Sequence, residues 1–387
     1  MFSKRTDWAL APNRLARALA GRRASGQPIL DLTESNPTRA GIAYPPDLLS
    51  LLDDPRGLRY EPDARGRLDA REAVAADYVR HGLTVSPDDV LLTASTSEAY
   101  AFAFKLLCDP DDDVLIPAPS YPLFDFLAGL ENVRVRTYAL PLAGGEWHVD
   151  VGEIESLLGP RTRAVVVVNP NNPTGSFLKK GEAATLRDLA ARRDLALVSD
   201  EVFLDYAFGE DPRRFGTVAA GGPSLAFALG GLSKACGLPQ LKLGWMVVSG
   251  PEAVKRAARE RLEVVADTYL SVATPVQIAA PALLARRAEL QAPIAARVRD
   301  NHRALTAQLR GSAASLLPAE GGWYAALHVP AIRSEEDLAV LLLEEDGVLV
   351  HPGFFFGFPH EAFLVVSLLC APAVLAEGTR RLQSRVL

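Results

Sequence analysis

Five polar elements in this chain stand where apolar runs end, which is where a sheet hands its backbone over to a turn. Lys234 follows the run Ser224 to Leu229 and the pair Gly230-Gly231, and a second apolar run, Leu243 to Val248, comes soon after it. Two glycines permit a sharp turn, so a lysine is presented between two core strands. The ordinary reading of a lysine is a solvated surface charge. Where water is scarce, however, the ammonium is disfavoured, and the free amine is a nucleophile for a carbonyl carbon. Lys234 is therefore a candidate Schiff-base lysine. Asp200 and Glu201 end the run Leu195 to Val198, and a carboxylate ending a buried strand needs a cation that the adjacent sequence does not offer. Ala164 to Val168 runs into Asn169-Pro170-Asn171-Asn172-Pro173-Thr174-Gly175, whose prolines and glycine hold at least one asparagine amide at the strand's carboxyl edge. Ser95-Thr96-Ser97 separates the strand Val90 to Thr93 from a helix, Glu98 to Leu107. First-turn amides and the helix dipole make an anion seat there, and the same residues read equally as an N-cap. Tyr121 follows the strand Val114 to Pro117, either as a ring at a ligand-binding edge or as a hydrophobic staple.

The elements that must position these groups alternate strand and helix from about residue 89, which argues for a mostly parallel sheet covered on both faces. Further strands are read at Ile29 to Thr33 and Val133 to Tyr138. A polar, arginine-rich helix is read at Asn13 to Gly21, and another carries Leu68, Val74 and Ala75 on its inner side. Glu34 to Arg39 is a turn-rich loop in which Arg39 is a fixed positive charge held in reserve, and Tyr60 to Gly66 is an exposed loop. Beyond residue 250 the pattern gives two long helices, Pro251 to Ala266 and about Val276 to Leu309. A smaller α+β unit then begins at Gly321, with strands Val348 to Val350 and Phe363 to Leu369 around the loop His351 to Gly357. The expected division is a large domain at 46–275 and a small one from 1–45 and 276–387, joined by the helix from about 276.

The 387 residues, 49% of them apolar, supply an ample core, and the net charge of −6 with scattered basic residues argues against nucleic acid as a partner. There is no run of membrane-spanning length and no signal-peptide block near Met1, so a soluble cytoplasmic protein with no membrane contact is expected. Cys108, Cys236 and Cys370 are far apart and the histidines form no ligand motif. Neither disulfides nor a metal site is expected. Cys236 reads as a packing residue.

One ligand would satisfy the hydroxyl turn, the aromatic ring, the asparagine, the aspartate and the lysine together. It needs a phosphate, a flat ring with an oxygen and a protonated nitrogen, and an aldehyde: pyridoxal 5′-phosphate. With Asn169 to Gly175, Asp200-Glu201-Val202-Phe203, Ser233-Lys234, Pro119-Ser120-Tyr121-Pro122 and the Tyr60 to Gly66 loop in this order and spacing, the chain resembles the fold-type I, class I/II aminotransferases from about Leu30 to Leu369. The resemblance implies an α/β fold, with a large domain built on a mostly parallel seven-stranded sheet and a smaller α+β domain. It further implies that Lys234, Asp200 and Tyr121 form the catalytic set: Lys234 bonds the cofactor and then shuttles a proton, Asp200 pairs with the pyridinium nitrogen, and Tyr121 stacks on the ring. Asn172 would hold the ring oxygen and lie at the substrate, Ser95, Thr96, Ser97 and Ser233 would serve the phosphate, and Tyr60 would reach the neighbouring subunit's phosphate in a homodimer.

Three positions depart from the family pattern. Lys242 stands where an arginine commonly grips the phosphate, which loses a two-pronged contact. Phe203 stands where a tyrosine often donates to the ring oxygen, which should raise the imine pKa. Val365 stands where an arginine clamps the substrate carboxylate, and an apolar side chain cannot do so. Either another cation takes over, Arg39 first and His351 second, or the substrate is not an ordinary α-amino acid. The activity implied is transamination between an amino acid and a 2-oxo acid by ping-pong half reactions. The alternatives are a pyridoxal phosphate-dependent lyase, cyclase or decarboxylase, or a catalytically idle ligand-binding protein on the same fold. Trp323, Tyr324 and Phe354 to Phe356 are expected to line the entrance or the small-domain core.

Overall fold

The computed structural model describes residues 1–386. Its central sheet has seven strands: β1 (Val90–Thr93), β2 (Asp113–Ala118), β3 (Arg134–Ala139), β4 (Thr162–Val168), β5 (Ala196–Asp200), β6 (Ala226–Gly231) and β7 (Gly244–Ser249), in the spatial order β1-β7-β6-β5-β4-β2-β3. All neighbours pair in parallel except β7, which runs antiparallel to both β1 and β6. The apolar runs are explained by two-sided burial. Ala164, Val166 and Val168 of β4 pack on one face with helices Thr96–Leu107 and Glu252–Asp267, while Val165 and Val167 pack on the other with helix Lys180–Arg192. Alternate side chains of a strand point to opposite faces, so a strand covered on both sides has no polar period.

β1, β2, β4, β5 and β6 run in the same direction, so the turns bearing Ser95, Tyr121, Asn172, Asp200 and Lys234 leave the sheet at one edge. That edge is where open parallel sheets take ligands.

A second, antiparallel sheet comprises β8 (Ser315–Leu316), β9 (Tyr324–His328), β10 (His351–Pro352) and β11 (Phe363–Ser367), in the order β8-β9-β11-β10. Its core gathers Leu15 and Leu32 from the N-terminal segment with Ile294, Trp323, Leu342 and Leu364, and Leu30–Asp31 pairs in parallel with Val348–Leu349.

Two details differ from the sequence reading. The helix expected from about Val276 to Leu309 is two helices, Thr274–Ala285 and Arg287–Gln308, broken at Arg286 (φ −90°, ψ 5°). Pro281 and Pro293 each remove a backbone donor on either side of that break. Beyond it, Arg287 is buried and ion-paired with Asp77 and Asp205. Leu68, expected on an inner face, is 52% exposed, whereas Val74 and Ala75 are buried. It is the first residue of its helix, and a helical side chain leans over the turn preceding it, which here lies outside the helix.

The turn after β4 is locked to the second unit through Gly175. Its φ is +69°, its carbonyl accepts from the Glu320 N–H at 3.0 Å, and a Cβ there would lie 2.4 Å from the Gly321 carbonyl oxygen. Gly175→Ala is expected to destabilise the fold by roughly 2 kcal/mol or more through combined strain and overlap, measured as a lower urea midpoint with an unchanged slope.

Candidate active site

At the sheet's carboxyl edge lies a cavity of about 400 Å³ whose lining includes Ser95, Thr96, Ser97, Tyr121, Asn172, Asp200, Phe203, Ser233 and Lys234. The sheet edge therefore brings together nine of the residues singled out from sequence. Ser35, Tyr100 and Tyr324 complete its polar wall.

Lys234 sits in the short helix Leu232–Ala235 directly after β6. Its Nζ lies 4.4 Å from the centroid of the Trp323 ring and 5.4 Å from that of Phe203, and its backbone carbonyl accepts from the Tyr206 hydroxyl at 2.6 Å. Burial pushes the ammonium down to about 8, against the pull of Asp200, which favours the charged form. A usable fraction of free amine is thus present near neutral pH.

Asp200, the last residue of β5, is pushed up to about 6 by burial, and three neighbours oppose that shift. The Val202 N–H donates to Oδ1 at 3.2 Å, the Tyr100 hydroxyl donates to Oδ2 at 3.3 Å, and Lys234 attracts it. The cation that the sequence reading sought for Asp200 is, within the chain, Lys234, and the remaining support comes from two hydrogen-bond donors. Tyr100 escaped the sequence reading because it sits inside an apolar helix, where a tyrosine reads as core. Its hydroxyl gives a test. Tyr100→Phe is expected to leave the fold intact, to push Asp200 further up, and to slow any reaction needing its charge by about tenfold or less, with the deficit growing as pH falls toward 6. A pH–rate profile with an unmoved acidic limb would argue against it.

The asparagine turn resolves by elimination. The Asn169 amide donates to the Gly216 carbonyl while its oxygen accepts from the Leu178 N–H. Asn171 bonds Pro119, Thr174 and Ser120. Asn172 is buried and its Oδ1 has no partner among the described residues. A buried amide oxygen left unpaired is rare and costly, and points to a group that is to be bound.

The hydroxyl turn is an N-cap and more. Ser95 Oγ accepts from the Glu98 N–H at 3.2 Å, capping helix Thr96–Leu107, and Glu98 Oε2 accepts from the N–H of Ala94, just before the cap, at 2.7 Å. Opposite it, Gly231 and Gly244 face each other across β6 and β7 and also line the cavity. A Cβ on Gly244 would lie 3.0 Å from the Ser95 carbonyl carbon, so the absence of a side chain there keeps the hydroxyls accessible.

The residues fit pyridoxal phosphate. Hydroxyls and a helix start offer an anion site, the Asn172 carboxamide, whose NH2 is the donor a ring oxygen needs, and Asp200 lie along the cavity, and a depressed lysine faces it.

Of the other residues singled out from sequence, Tyr324 lines the cavity and the rest that follow lie outside its lining. Lys242 is exposed, in a left-handed conformation with φ 51°, and Tyr60 is 72% exposed on a separate concavity with Asp63 and Gln277. Arg39, expected as the cation for a substrate carboxylate, is not among the residues lining the cavity. Its side chain is 70% exposed and its Nε pairs with Glu34 at 3.2 Å, turned to solvent by a short-range partner. The His351 ring lies among Phe355 and Phe356, and burial lowers its pKa. Val365 is fully buried. Trp323 is a core residue beneath Lys234, Tyr324 lines the cavity and Phe354 is 48% exposed. Cys236 is buried, as a packing residue would be. Among the described residues there is no cluster suited to a metal ion, and no helix is long and apolar enough to cross a membrane.

Comparison with known proteins gives a family match and a fold match. A family model described as aminotransferase class I and II matches residues 28–382. An S-alkyl-thiohydroximate lyase of Arabidopsis thaliana is 33% identical over 246 residues, 61% of this chain and 51% of that protein. A glutamate-pyruvate aminotransferase of Escherichia coli is 29% identical over 256 residues, 65% of this chain and 62% of the relative. The chain thus spans between half and two thirds of the length of these relatives. The solved alanine aminotransferase from Pyrococcus furiosus superposes with a TM-score of 0.89 at 23% identity, covering 100% of this chain and 99% of that one. The fold is that of the fold-type I pyridoxal phosphate enzymes.

Proposed function

This chain belongs to the class I and II aminotransferase family, and from that membership we propose that it is a pyridoxal phosphate-dependent transaminase, working as a homodimer in the cytoplasm. An amino group passes from an amino compound to the cofactor and then to a carbonyl compound in two half reactions, an amino acid and a 2-oxo acid being the pair the family resemblance implies. The observation that carries this reading is the convergence of Lys234, Asp200, Asn172 and the Ser95–Ser97 turn on one cavity.

Ser95, Thr96, Ser97 and Ser233 would hold the phosphate, Asn172 the ring oxygen and Asp200 the ring nitrogen, with Tyr121 and Phe203 against the ring. When bound, the cofactor supplies an electrophilic carbon for amines and a ring that withdraws electrons from the neighbouring carbon. The chain's own residues do the rest. Asp200 presents a negative charge that favours a cationic ring nitrogen. Lys234 Nζ, depressed to about 8, can take up and return a proton near neutral pH. Trp323 and Phe203 beside Nζ keep water away from it. Tyr206 fixes the backbone from which Lys234 projects. Leu49, Leu58, Tyr60 and Tyr269 are exposed, apolar surface of the kind a partner subunit covers.

A second reading, a lyase, cyclase or decarboxylase, is favoured by the lyase among the relatives and by Val365, whose apolar side chain gives a substrate carboxylate nothing to bind. Mixing the loaded protein with amino donors in the absence of an acceptor separates the readings. Transamination converts the cofactor once to its aminated form and stops until a carbonyl acceptor is added. Elimination, decarboxylation or cyclisation turns over repeatedly with the aldehyde form retained, and that outcome would replace the first reading.

A further inference from the structure

The second sheet turns a definite surface toward the cavity. Tyr324 lines the cavity, and its register partner on β11 is Ser367. Two residues along, Ala326 pairs with Val365, which also pairs with His351 of β10, so these side chains share the face of Tyr324. Ala326 and Val365 are buried and pack in one cluster with Phe356 and Phe358, against which Tyr324 and Phe355 lie. The wall behind Tyr324 is thus apolar and aromatic. On the cofactor side Leu127, Val202 and Leu243 add further apolar lining.

The cations near this wall are committed elsewhere. Arg39 pairs with Glu34 and is 70% exposed. Arg297 is spent on the carbonyls of Ala40, Leu369 and Cys370. His351 is half-buried beside Phe355 and Phe356, which disfavours its charged form. Among the described residues lining the cavity, Lys234 is the one cation, and it faces Asp200. A substrate carboxylate pressed against this wall would lose its hydration without gaining a guanidinium, which is strongly unfavourable.

Resting on the transaminase reading above, we propose that this cavity, whose lining among the described residues holds no guanidinium and whose Tyr324 wall is backed by the buried Val365, selects substrates whose reacting amine sits on a carbon that bears no carboxylate: primary amines with an apolar or aromatic body, in place of ordinary α-amino acids. In the first half reaction the donor's C–N bond breaks, and its carbon is oxidised by two electrons and leaves as an aldehyde or ketone, taking its oxygen from water. The amino group and the two electrons reside on the cofactor until an aldehyde or ketone acceptor takes both, becoming an amine and releasing water.

The test compares matched donors that differ only in the carboxylate, phenylalanine against 2-phenylethylamine and leucine against 3-methylbutylamine. The rate at which each converts the loaded protein's cofactor absorbance to the aminated form is recorded in single turnover. Each amine is expected to react at least about tenfold faster than its amino acid, and Val365→Arg to reverse that order. The wild-type comparison stands even if Val365→Arg fails to fold. Faster reaction of the amino acids in the wild type overturns the proposal, and repeating it in Arg39→Ala then shows whether Arg39 swings in as the carboxylate partner. If no donor of either kind aminates the cofactor while Lys234 still binds it, the transaminase reading itself fails and the proposal with it.

Discussion

Lys234→Ala is expected to lower amino-group transfer by at least about 10⁴-fold while leaving the fold and the cavity in place. Lys234 is held in a four-residue helix between β6 and β7, and its backbone, through Tyr206, does not depend on its side chain. Removing the amine removes both the nucleophile that would bond the cofactor aldehyde and the base that would carry the proton. Free pyridoxal phosphate could still occupy the hydroxyl turn, so binding should weaken far less than rate. Lys234→Arg should not rescue the activity, because a guanidinium keeps its proton. Single-turnover absorbance with an amino donor checks both variants. A residual rate within about tenfold of the wild type would mean that some other group does the chemistry.

Asp200→Asn is the second large effect, expected at about 10³-fold in rate. The amide preserves size and can still accept from the Tyr100 hydroxyl or the Val202 N–H, but it cannot hold a ring nitrogen in its protonated form. The same variant has a stability signature in the cofactor-free protein. Asp200 is raised from 3.8 to about 6, so its protonated form favours folding. That contribution is fully present below 3.8, is lost as pH rises through 6, and amounts to ~3 kcal/mol at most. Lys234 has the opposite sign, being lowered from 10.5 to about 8: its contribution is present above 10.5 and is lost as pH falls through 8. Between those limits the two charges attract, which moderates both costs. Cofactor-free Asp200→Asn should therefore gain on the wild type as pH rises from 4 to 6, as followed by thermal melting. A constant difference across that window would contradict the assignment of a buried, raised carboxyl.

Much of the site was legible because its residues break apolar runs. Asp200 at the end of a valine-rich strand, and Lys234 after two glycines, can be seen without coordinates, since a two-sided buried strand tolerates charge only at its end. The asparagine turn was legible as a site but not to the residue; which amide is free depends on bonds of Asn169 and Asn171 to Gly216 and Pro119, 47 and 52 positions away. Tyr100 and Tyr206 were not assigned to the site, and Trp323 was expected only at the entrance or in the small-domain core, because an aromatic residue looks alike in sequence whether it packs a core or touches a lysine. Position in a loop did not specify where the Arg39 side chain lies: its loop supplies Ser35 to the cavity, while the guanidinium pairs with Glu34 and is exposed. The burial of Arg287 just after the break at Arg286 was not legible, since its partners Asp77 and Asp205 are supplied by distant segments.

The most direct measurement is chemical. Protein loaded with pyridoxal phosphate is reduced with borohydride, digested and mapped by mass spectrometry. A single phosphopyridoxyl group on the peptide carrying Lys234, absent from Lys234→Ala, is the expected result. A label carried instead by Lys242 or another lysine, or no label at all, would contradict the account.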